Sequence, residues 1–473
     1  MSDLTEFAIG AASEHLARGE VSSSGLAEAY LARIAALDPT LNCYVAVRAE
    51  EARAEARAAD ARRARGERRG PLDGIPIALK DNIDVAGILT TNGMGPRPDT
   101  TPERDAEVVR RLRAAGVVIL GKLNMHEGAL GGTTDNPHHG RTQNPWRLGF
   151  TPGGSSGGTG AAVAARLCAG GIGTDTLGSV RLPAAYCGIA GLKPTFGVVS
   201  TRGVVPLSWR LDAVGPLTRC VTDLGLMLDA MAGFDPEHME SVRAPEGPSY
   251  AMAASGDLAG LSLGLIESLE RVDMDPDVRR AFGESIEILE RLGGTLRRLD
   301  LPGYEPTLAR RAGLLVCEAE GAVVHERDLA AYPGAFSPAF RRMLEFGRDV
   351  PAARLVKAEV AIQVAGFLLR RALTEVDLII APTAPQPAFA FSASAPAGQA
   401  DLTAIASLGG CPAVSVPCGL SRAGLPIGLQ LIGPPFGERA LLAAARAFEA
   451  ACSFVLAPRA MSPPASTRDR RER

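Results

Sequence analysis

Three serines stand where they could carry out acyl transfer. Ser155 and Ser156 lie among glycines in GGSSGG, and Ser179 ends a second glycine-bearing turn, TDTLGS. A serine hydroxyl attacks a carbonyl carbon only when a base takes its proton, and the usual base is histidine. No histidine lies between Phe150 and Gly188. If these serines react, their base must come from elsewhere in the chain.

Lysine is rare in this chain, which makes each lysine a candidate for a special role. All but four of the 50 basic residues are arginine, and Lys80 follows the apolar residues Ile77, Ala78 and Leu79. Burial disfavours the charged form of lysine, and a neutral amine accepts a proton near pH 7. Lys80 is therefore a candidate base. A structural lysine paired with Asp81 or another carboxylate is an equally good interpretation of the sequence.

The two glycine-bearing loops are joined by GGTGAAVAARLCA, which is long enough to form a helix that turns the chain back. That layout can place Ser155 between a lysine amine and the Ser179 hydroxyl, as a relay for a proton. The TDTLGS turn then offers the backbone N–H groups of Thr176, Leu177, Gly178 and Ser179 to an oxyanion. Ser179 also suits the N-cap of a helix over VRLPAAYCG, and spacing does not decide between the two roles.

Two short motifs predict other functions, but their context contradicts both. GSSGG fits the G-x-S-x-G nucleophile elbow with Ser156, yet a Pro- and Gly-broken loop precedes it and no histidine follows His325. GVVILGKL resembles a phosphate-binding loop, but it lacks the final Ser or Thr and has the composition of a strand interior. Anion binding at the N-terminus of the helix after GGSSGG remains an alternative.

Composition argues against several classes of function. A net charge of −3 gives no basic excess for a nucleic-acid partner, and no apolar run reaches the length of a membrane span. The N-terminus lacks a signal-peptide pattern, the eight scattered cysteines form no CxxC pair, and no HExxH motif occurs. We therefore expect a cytoplasmic protein with reduced thiols, no metal or organic cofactor, and neither a nucleic-acid nor a membrane partner.

Helical and strand patterns alternate along most of the chain, as in α/β proteins. RDAEVVRRLRAAG followed by VVILG predicts a helix and a buried strand, and LSLGLI, VDLIIAP, AVSVP and IGLQLIG predict further strands. We expect one large α/β domain with a mixed, mostly parallel β-sheet core covered by helices on both sides. Residues 1–65 should form an N-terminal helical segment packed on the main unit, 66–460, with 461–473 as a disordered tail.

Five segments, in this order, resemble the amidase signature family. They are GIPIALKDNIDV, NMHEGALGGTTDNPHHGRTQNPW, TPGGSSGGTGAAVAA, GTDTLGSVRLPAAYCGIAGLKPTFG and GLPIGLQLIGPPFGERALL, within a similarity that runs from about residue 5 to about residue 455. The resemblance implies a Ser-Ser-Lys triad in which Lys80 is the base. Ser155 is then the bridging serine, held by a cis peptide, and Ser179 is the acylated nucleophile.

The resemblance also implies roles around this triad. Ser156, Asp175 and Arg181 match positions that support the loops by polar contacts. One departure is Leu177, because the family commonly has glycine there, in GTDTGGS. A leucine keeps its backbone N–H but costs energy if the position needs a positive φ, and its side chain could narrow the pocket floor. We hypothesise that Leu177 determines substrate specificity.

The resemblance implies an amidase that hydrolyses the C–N bond of a small linear amide to an acid and ammonia or an amine, through a Ser179 acyl-enzyme. One alternative is the glutaminase-like A subunit of the tRNA-dependent amidotransferase; its common GSIRQP motif has glutamine at the position of Leu182, which favours the stand-alone hydrolase. Others are a hydrolase of biuret- or allophanate-type amides and a non-catalytic binding protein. Pocket residues are expected near 300–350 and near APTAPQPAFAFSASAP. A homodimer is plausible, although no motif points to one.

Overall fold

The computed structural model describes residues 3–97, 100–252, 257–452 and 458. Within these residues the helices are α1 (Ile9–Ala17), α2 (Ser23–Leu41), α3 (Ala49–Ala64), α4 (Glu107–Ala114), α5 (Gly157–Ala164), α6 (Arg181–Cys187), α7 (Val221–Met231), α8 (Glu267–Glu270), α9 (Pro276–Arg291), α10 (Pro306–Val324), α11 (Glu326–Ala331), α12 (Pro338–Arg348), α13 (Ala352–Ala372), α14 (Ala404–Leu408) and α15 (Glu438–Ala451). The strands are β1 (Tyr44–Val47), β2 (Pro76–Lys80), β3 (Val118–Leu123), β4 (Asp135–Asn136), β5 (Gly140–Arg141), β6 (Gly170–Asp175), β7 (Ala190–Lys193), β8 (Ala213–Thr218), β9 (Ser262–Ile266), β10 (Thr295–Leu299), β11 (Leu378–Pro382), β12 (Ala413–Leu420) and β13 (Pro426–Ile432).

One large sheet organises the fold, in the strand order β1-β3-β2-β6-β8-β7-β12-β13-β11-β9-β10. Near one end β2 pairs in parallel with β3 and β6, and near the other β9 pairs in parallel with β10 and β11. The strands between these groups pair antiparallel, as does β1 at its edge. This mixed sheet, flanked by helices, confirms the predicted α/β fold class.

The strands that carry candidate residues are buried along their whole length. Every residue of β2, PIALK, and of β6, GGIGTD, is buried. Such apolar and small-residue runs suit strands with both faces covered. A Cβ at Gly171 of β6 would lie 2.5 Å from the Thr159 methyl group of α5. The missing side chain therefore lets α5 pack closely on the sheet, next to the two serine loops, GGSSGG (153–158) and TDTLGS (174–179).

The N-terminal segment contributes a strand that the sequence patterns did not predict. Strand β1 pairs with β3, so the large sheet extends across the expected boundary at residue 65. At the start of α1, the backbone N–H groups of Ile9 and Gly10 donate to the Asp223 carboxylate of α7, at 2.7 and 2.9 Å. These contacts tie the first helix to the core. The predicted tail, 461–473, lies outside the described residues.

The structure provides observations on two expectations drawn from composition, reduced cysteines and the lack of a membrane span. All eight cysteines are free, and seven of them are buried. Burial raises the pKa of Cys168 to about 12, so this thiol stays protonated at neutral pH. Across the described ranges, no helix is long and apolar enough to cross a membrane.

Candidate active site

Strands β2 and β6 bring the candidate base, Lys80, and the TDTLGS turn to the same edge of the sheet. We call this turn, residues 174–179, the nucleophile turn after its candidate nucleophile, Ser179. The two strands are parallel neighbours, with Ala78 opposite Gly171. Lys80 is the last residue of β2, and β6 ends at Asp175, within the turn that ends in Ser179. Because the carboxyl ends of parallel strands meet at one edge, the sheet places Lys80 beside this turn.

Helix α5 begins directly after the first serine loop and leads the chain back into β6. The peptide bond between Gly154 and Ser155 is cis. The Ser155 carbonyl accepts a hydrogen bond from the backbone N–H of His126 at 3.0 Å, and the Ser156 N–H donates to the Ser179 carbonyl at 3.3 Å. The two serine loops are thus joined through their backbones.

The Lys80 amine is fully buried and has two hydroxyl oxygens as neighbours. Its Nζ lies 2.7 Å from Ser155 Oγ and 2.7 Å from Thr174 Oγ1. Burial lowers the pKa of Lys80 to about 7, against the smaller upward effect of the Asp212 and Asp175 charges. About half of these amines are neutral at pH 7, and the neutral form is the one that accepts a proton.

The alternative in which Lys80 pairs with Asp81 does not occur in the structure. Asp81 instead forms an ion pair with Lys122, at 3.0 Å, and both side chains are fully buried. Lys193 is buried as well and donates from Nζ to a backbone carbonyl at 2.9 Å, whereas Lys357 lies on the exposed side of α13. Three of the four lysines are therefore interior residues, and only Lys80 contacts a candidate serine.

Asp175 and Arg181 form a fully buried ion pair at the ends of the nucleophile turn. Arg181 Nη2 donates to Asp175 Oδ1 at 2.8 Å, and the Val180 N–H donates to Oδ2 at 3.1 Å. Burial alone would raise the pKa of Asp175, but the Arg181 guanidinium holds it below its usual value. Arg181 Nη1 also donates to the Thr403 carbonyl and to Gln430 Oε1, at 2.8 and 2.7 Å. This network fixes the turn against α14 and β13.

The nucleophile turn leaves backbone donors unused. Among the described residues, no acceptor binds the N–H groups of Leu177, Gly178 or Ser179. Helix α6 is capped at Val180 without a side-chain hydrogen bond, so Ser179 is not the N-cap that the sequence also allowed. Unpaired N–H groups beside a serine hydroxyl are what an oxyanion hole requires.

The positive φ in this turn belongs to Gly178 and not to Leu177. Gly178 has a φ of 140°, and a Cβ there would lie 2.4 Å from Thr403 Oγ1. Leu177 has no positive φ, so the backbone cost considered from the sequence does not arise. Its Cδ2 would lie 3.0 Å from a Cβ at Gly313 of α10. Leu177 therefore packs on a helix that makes room for it.

A cavity of about 210 Å³ opens beside Ser179 and Leu177. Apart from the turn itself, its wall is mostly apolar and includes Leu130, Leu182, Leu207, Leu314, Cys317 and Met343. Polar side chains come from Arg310 and Gln399. Residues of the region 300–350 are among the lining residues, as are Ala397, Gln399 and Ala400, which follow directly after the segment APTAPQPAFAFSASAP. A larger cavity of about 660 Å³, among α10, α12 and α13, is lined by none of the triad residues.

Sequence reasoning missed several polar residues around the amine and the turn. Thr174 contacts the Lys80 amine directly. It lies in the GTDT motif directly before Asp175, so its position next to a candidate residue could have identified it. Asp212 accepts hydrogen bonds from Thr176 Oγ1 at 2.6 Å and from the Leu207 N–H at 2.8 Å. Burial raises the pKa of Asp212, against these hydrogen bonds. No local signal marks Asp212, because only the fold brings it to the turn.

Comparison with known proteins finds relatives that match most of the chain. Residues 25–442 match the family described as Amidase. The A subunit of the glutamyl-tRNA(Gln) amidotransferase of Geobacter metallireducens is 40% identical, over 96% of this chain and 98% of that relative. A solved protein from a vestigial complex that reveals the origins of an s-triazine catabolic enzyme is 36% identical, with a TM-score of 0.87, covering 92% of this chain and 97% of that one. A solved amidase is 32% identical, with a TM-score of 0.84, covering 94% and 99%.

Proposed function

Because the chain belongs to the amidase signature family of hydrolases that act on C–N bonds, we propose that it cleaves a carboxamide through an acyl-enzyme on Ser179. The observation that carries this proposal is the 2.7 Å approach of the buried Lys80 amine to Ser155 Oγ, beside the turn that presents Ser179. The lowered pKa of Lys80 supports its role as the base, since about half of the amines can accept a proton at pH 7.

In the proposed reaction, protons pass along the two serines to Lys80 and back. Ser179 Oγ bonds to the amide carbon while its proton moves to Ser155, and the Ser155 proton moves to neutral Lys80. The N–H groups of Leu177 and Gly178 stabilise the oxyanion, together with that of Thr176 at the start of the turn. The proton then returns through Ser155 to the leaving nitrogen as the C–N bond breaks. Water, activated by the same relay, releases the acid.

We assign supporting roles to Ser156, Asp175 and Arg181. Ser156 Oγ donates to the Thr174 carbonyl at 3.1 Å and accepts from the Thr174 N–H at 3.3 Å, which ties the first serine loop to β6. The ion pair of Asp175 and Arg181 ties the second loop to α14 and β13. A reacting geometry of this kind depends on such fixed loops, since small displacements cost large factors in rate.

Two functions share this chemistry: a stand-alone amidase and the A subunit of a tRNA-dependent amidotransferase. The curated relatives favour the amidotransferase subunit. A stand-alone amidase would release an acid and ammonia or an amine from a small amide. The A subunit of a tRNA-dependent amidotransferase would release ammonia from glutamine, and the 40% identity to such a protein, over nearly the whole of both chains, supports it. That support runs against our sequence-based preference for a stand-alone enzyme without a nucleic-acid partner. One residue supports the stand-alone function. Leu182 lines the cavity, and the amidotransferase subunit commonly has a glutamine at this position of its sequence.

Turnover and covalent labelling of the purified chain test the proposal. Ammonia or amine release is measured with aliphatic amides, aryl amides, glutamine and biuret, and the serine labelled by a reactive phosphonate is located by mass spectrometry. We expect an adduct on Ser179 that is lost in Ser179→Ala and kept in Ser392→Ala, which changes an exposed serine. Turnover of small amides by the chain alone favours the stand-alone enzyme. Glutamine turnover only with added partner subunits favours the amidotransferase, and no adduct on Ser179 contradicts both.

A further inference from the structure

The cavity beside Ser179 has a polar part that the proposed acyl transfer does not use. Arg310 of α10 and Gln399, which precedes α14, both line it. Arg310 is 7% exposed and Gln399 is 9% exposed, in a wall that is otherwise mostly apolar. Polar groups in such surroundings cost free energy unless they find hydrogen-bond partners. Their partners therefore show what these two side chains still lack.

The guanidinium of Arg310 forms hydrogen bonds through its Nε atom only, among the described residues. Its Nε donates to Asp401 Oδ1, and Thr307 Oγ1 fixes the same carboxylate by donating to Oδ2 at 2.9 Å. Within the described part of the chain, Nη1 and Nη2 have no acceptor. A guanidinium carries five donors in a rigid plane. Arg310 is thus positioned by Asp401, while two of its nitrogens remain available to a bound molecule.

The amide of Gln399 is also incompletely partnered. Its Oε1 is buried, and no described residue donates to it. Gly132 borders this amide closely, because a Cβ there would lie 3.1 Å from Oε1. The glycine leaves the amide its place at the cavity wall. A site with unpartnered polar groups selects for a ligand that satisfies them, because a ligand without such groups leaves them unpaired.

We propose that Arg310 and Gln399 bind a second carbonyl-type group, a carboxamide or a carboxylate, in the acyl part of the substrate. This inference rests on the proposed function, since it concerns the substrate of Ser179. A planar carbonyl-type group presents acceptor oxygens to the guanidinium and to the N–H₂ group of Gln399. Asp401 already matches the charge of Arg310, so the site does not require an anion. The volume of about 210 Å³ selects a short chain between this group and the scissile amide.

Substrates matched in shape test this specificity. Succinamide and succinamate carry the second group, and 4-methylpentanamide replaces it with an isopropyl group of similar shape. We expect kcat/KM for at least one of the first two to exceed that for 4-methylpentanamide by about tenfold or more, as a charge-assisted hydrogen bond provides. The comparison between succinamide and succinamate distinguishes the neutral group from the anion. Equal rates for all three compounds would overturn the proposal.

Variants separate the recognition of this group from the integrity of the fold. The specificity ratio is kcat/KM for the better of succinamide and succinamate, divided by kcat/KM for 4-methylpentanamide. Arg310→Met should reduce this ratio by about tenfold or more. Arg311→Met, at an exposed neighbour on the same helix, should leave it unchanged. Gln399→Leu keeps the ion pair of Arg310 and Asp401, so it tests the site if loss of the arginine unfolds the chain. The thermal unfolding of each variant is recorded alongside.

Two failures are distinguishable. Hydrolysis of these amides with a ratio that neither Arg310→Met nor Gln399→Leu changes would refute this inference and leave the proposed function intact. No hydrolysis of any amide, together with no phosphonate adduct on Ser179, would refute the proposed function and this inference with it.

Discussion

The burial of Lys80 predicts how amide hydrolysis depends on pH. Burial lowers the pKa of this amine to about 7 in the folded protein, whereas an exposed lysine titrates near 10.4. The base must be neutral to accept the serine proton, so kcat/KM should rise with pH through about 7. With this pKa, about one tenth of the amines are neutral at pH 6 and about nine tenths at pH 8. We therefore expect a rise of roughly tenfold between these two pH values.

The same pKa sets how much the reaction gains from burial of the amine. At its ordinary pKa, only about one lysine in 2,500 would be neutral at pH 7, against about one in two here. Lys80→Arg keeps the charge but replaces the amine with a group that does not lose its proton in proteins. We expect this variant to lose about 10²–10⁴ in kcat/KM at every pH, which is the contribution of a general base.

Initial rates of ammonia release from one primary amide, between pH 5.5 and 9.5 at constant ionic strength, provide the assay. The pH dependence of kcat/KM reports the ionisation of the free enzyme. Lys357→Arg, on the exposed side of α13, is the matched control and should retain the wild-type profile. A flat profile between pH 6 and 8, a midpoint near pH 10, or wild-type rates in Lys80→Arg would refute the assignment of Lys80 as the base.

Three further substitutions test other parts of the site. Ser179→Ala should lower kcat by a factor of at least about 10³ with little change in Tm, measured by ammonia release and calorimetry; retained activity would exclude Ser179 as the nucleophile. Asp175→Asn leaves the buried Arg181 charge unpaired and should reduce the free energy of unfolding by about 3–5 kcal/mol in denaturant titrations, so a loss below about 1 kcal/mol would contradict the importance of the pair. Leu177→Ala should shift kcat/KM towards bulkier acyl groups by about tenfold, and an unchanged ranking of amides would rule out its role in specificity.

The sequence predicted those features that local patterns and short motifs encode. The apolar run before Lys80 indicated a strand that enters the interior, and that residue does end the buried strand β2. The alternation of helical and strand patterns predicted the α/β class because each pattern depends on neighbouring residues only. The two serine loops were found because their glycines and hydroxyls lie close together in the chain.

What escaped prediction depends on contacts between distant segments. Strand β1 was missed because a short strand at the edge of a sheet has a weak pattern, and its partner β3 lies far along the chain. The packing of Leu177 against Gly313 joins a turn to a helix about 140 residues later. Asp212 and Arg310 carry no motif of their own. Their positions follow from packing of the whole domain, which single-residue patterns do not encode.

The burial of the lysines has a practical consequence for chemical labelling. Lys80, Lys122 and Lys193 are enclosed in the protein, and Lys357 is the one lysine with an exposed side chain. An ester that acylates surface ε-amines should therefore modify the folded chain at Lys357 and spare the base. The same position provides a defined attachment point for a dye, a cross-linker or a solid support, and acylation of the three interior lysines would report that the chain has unfolded.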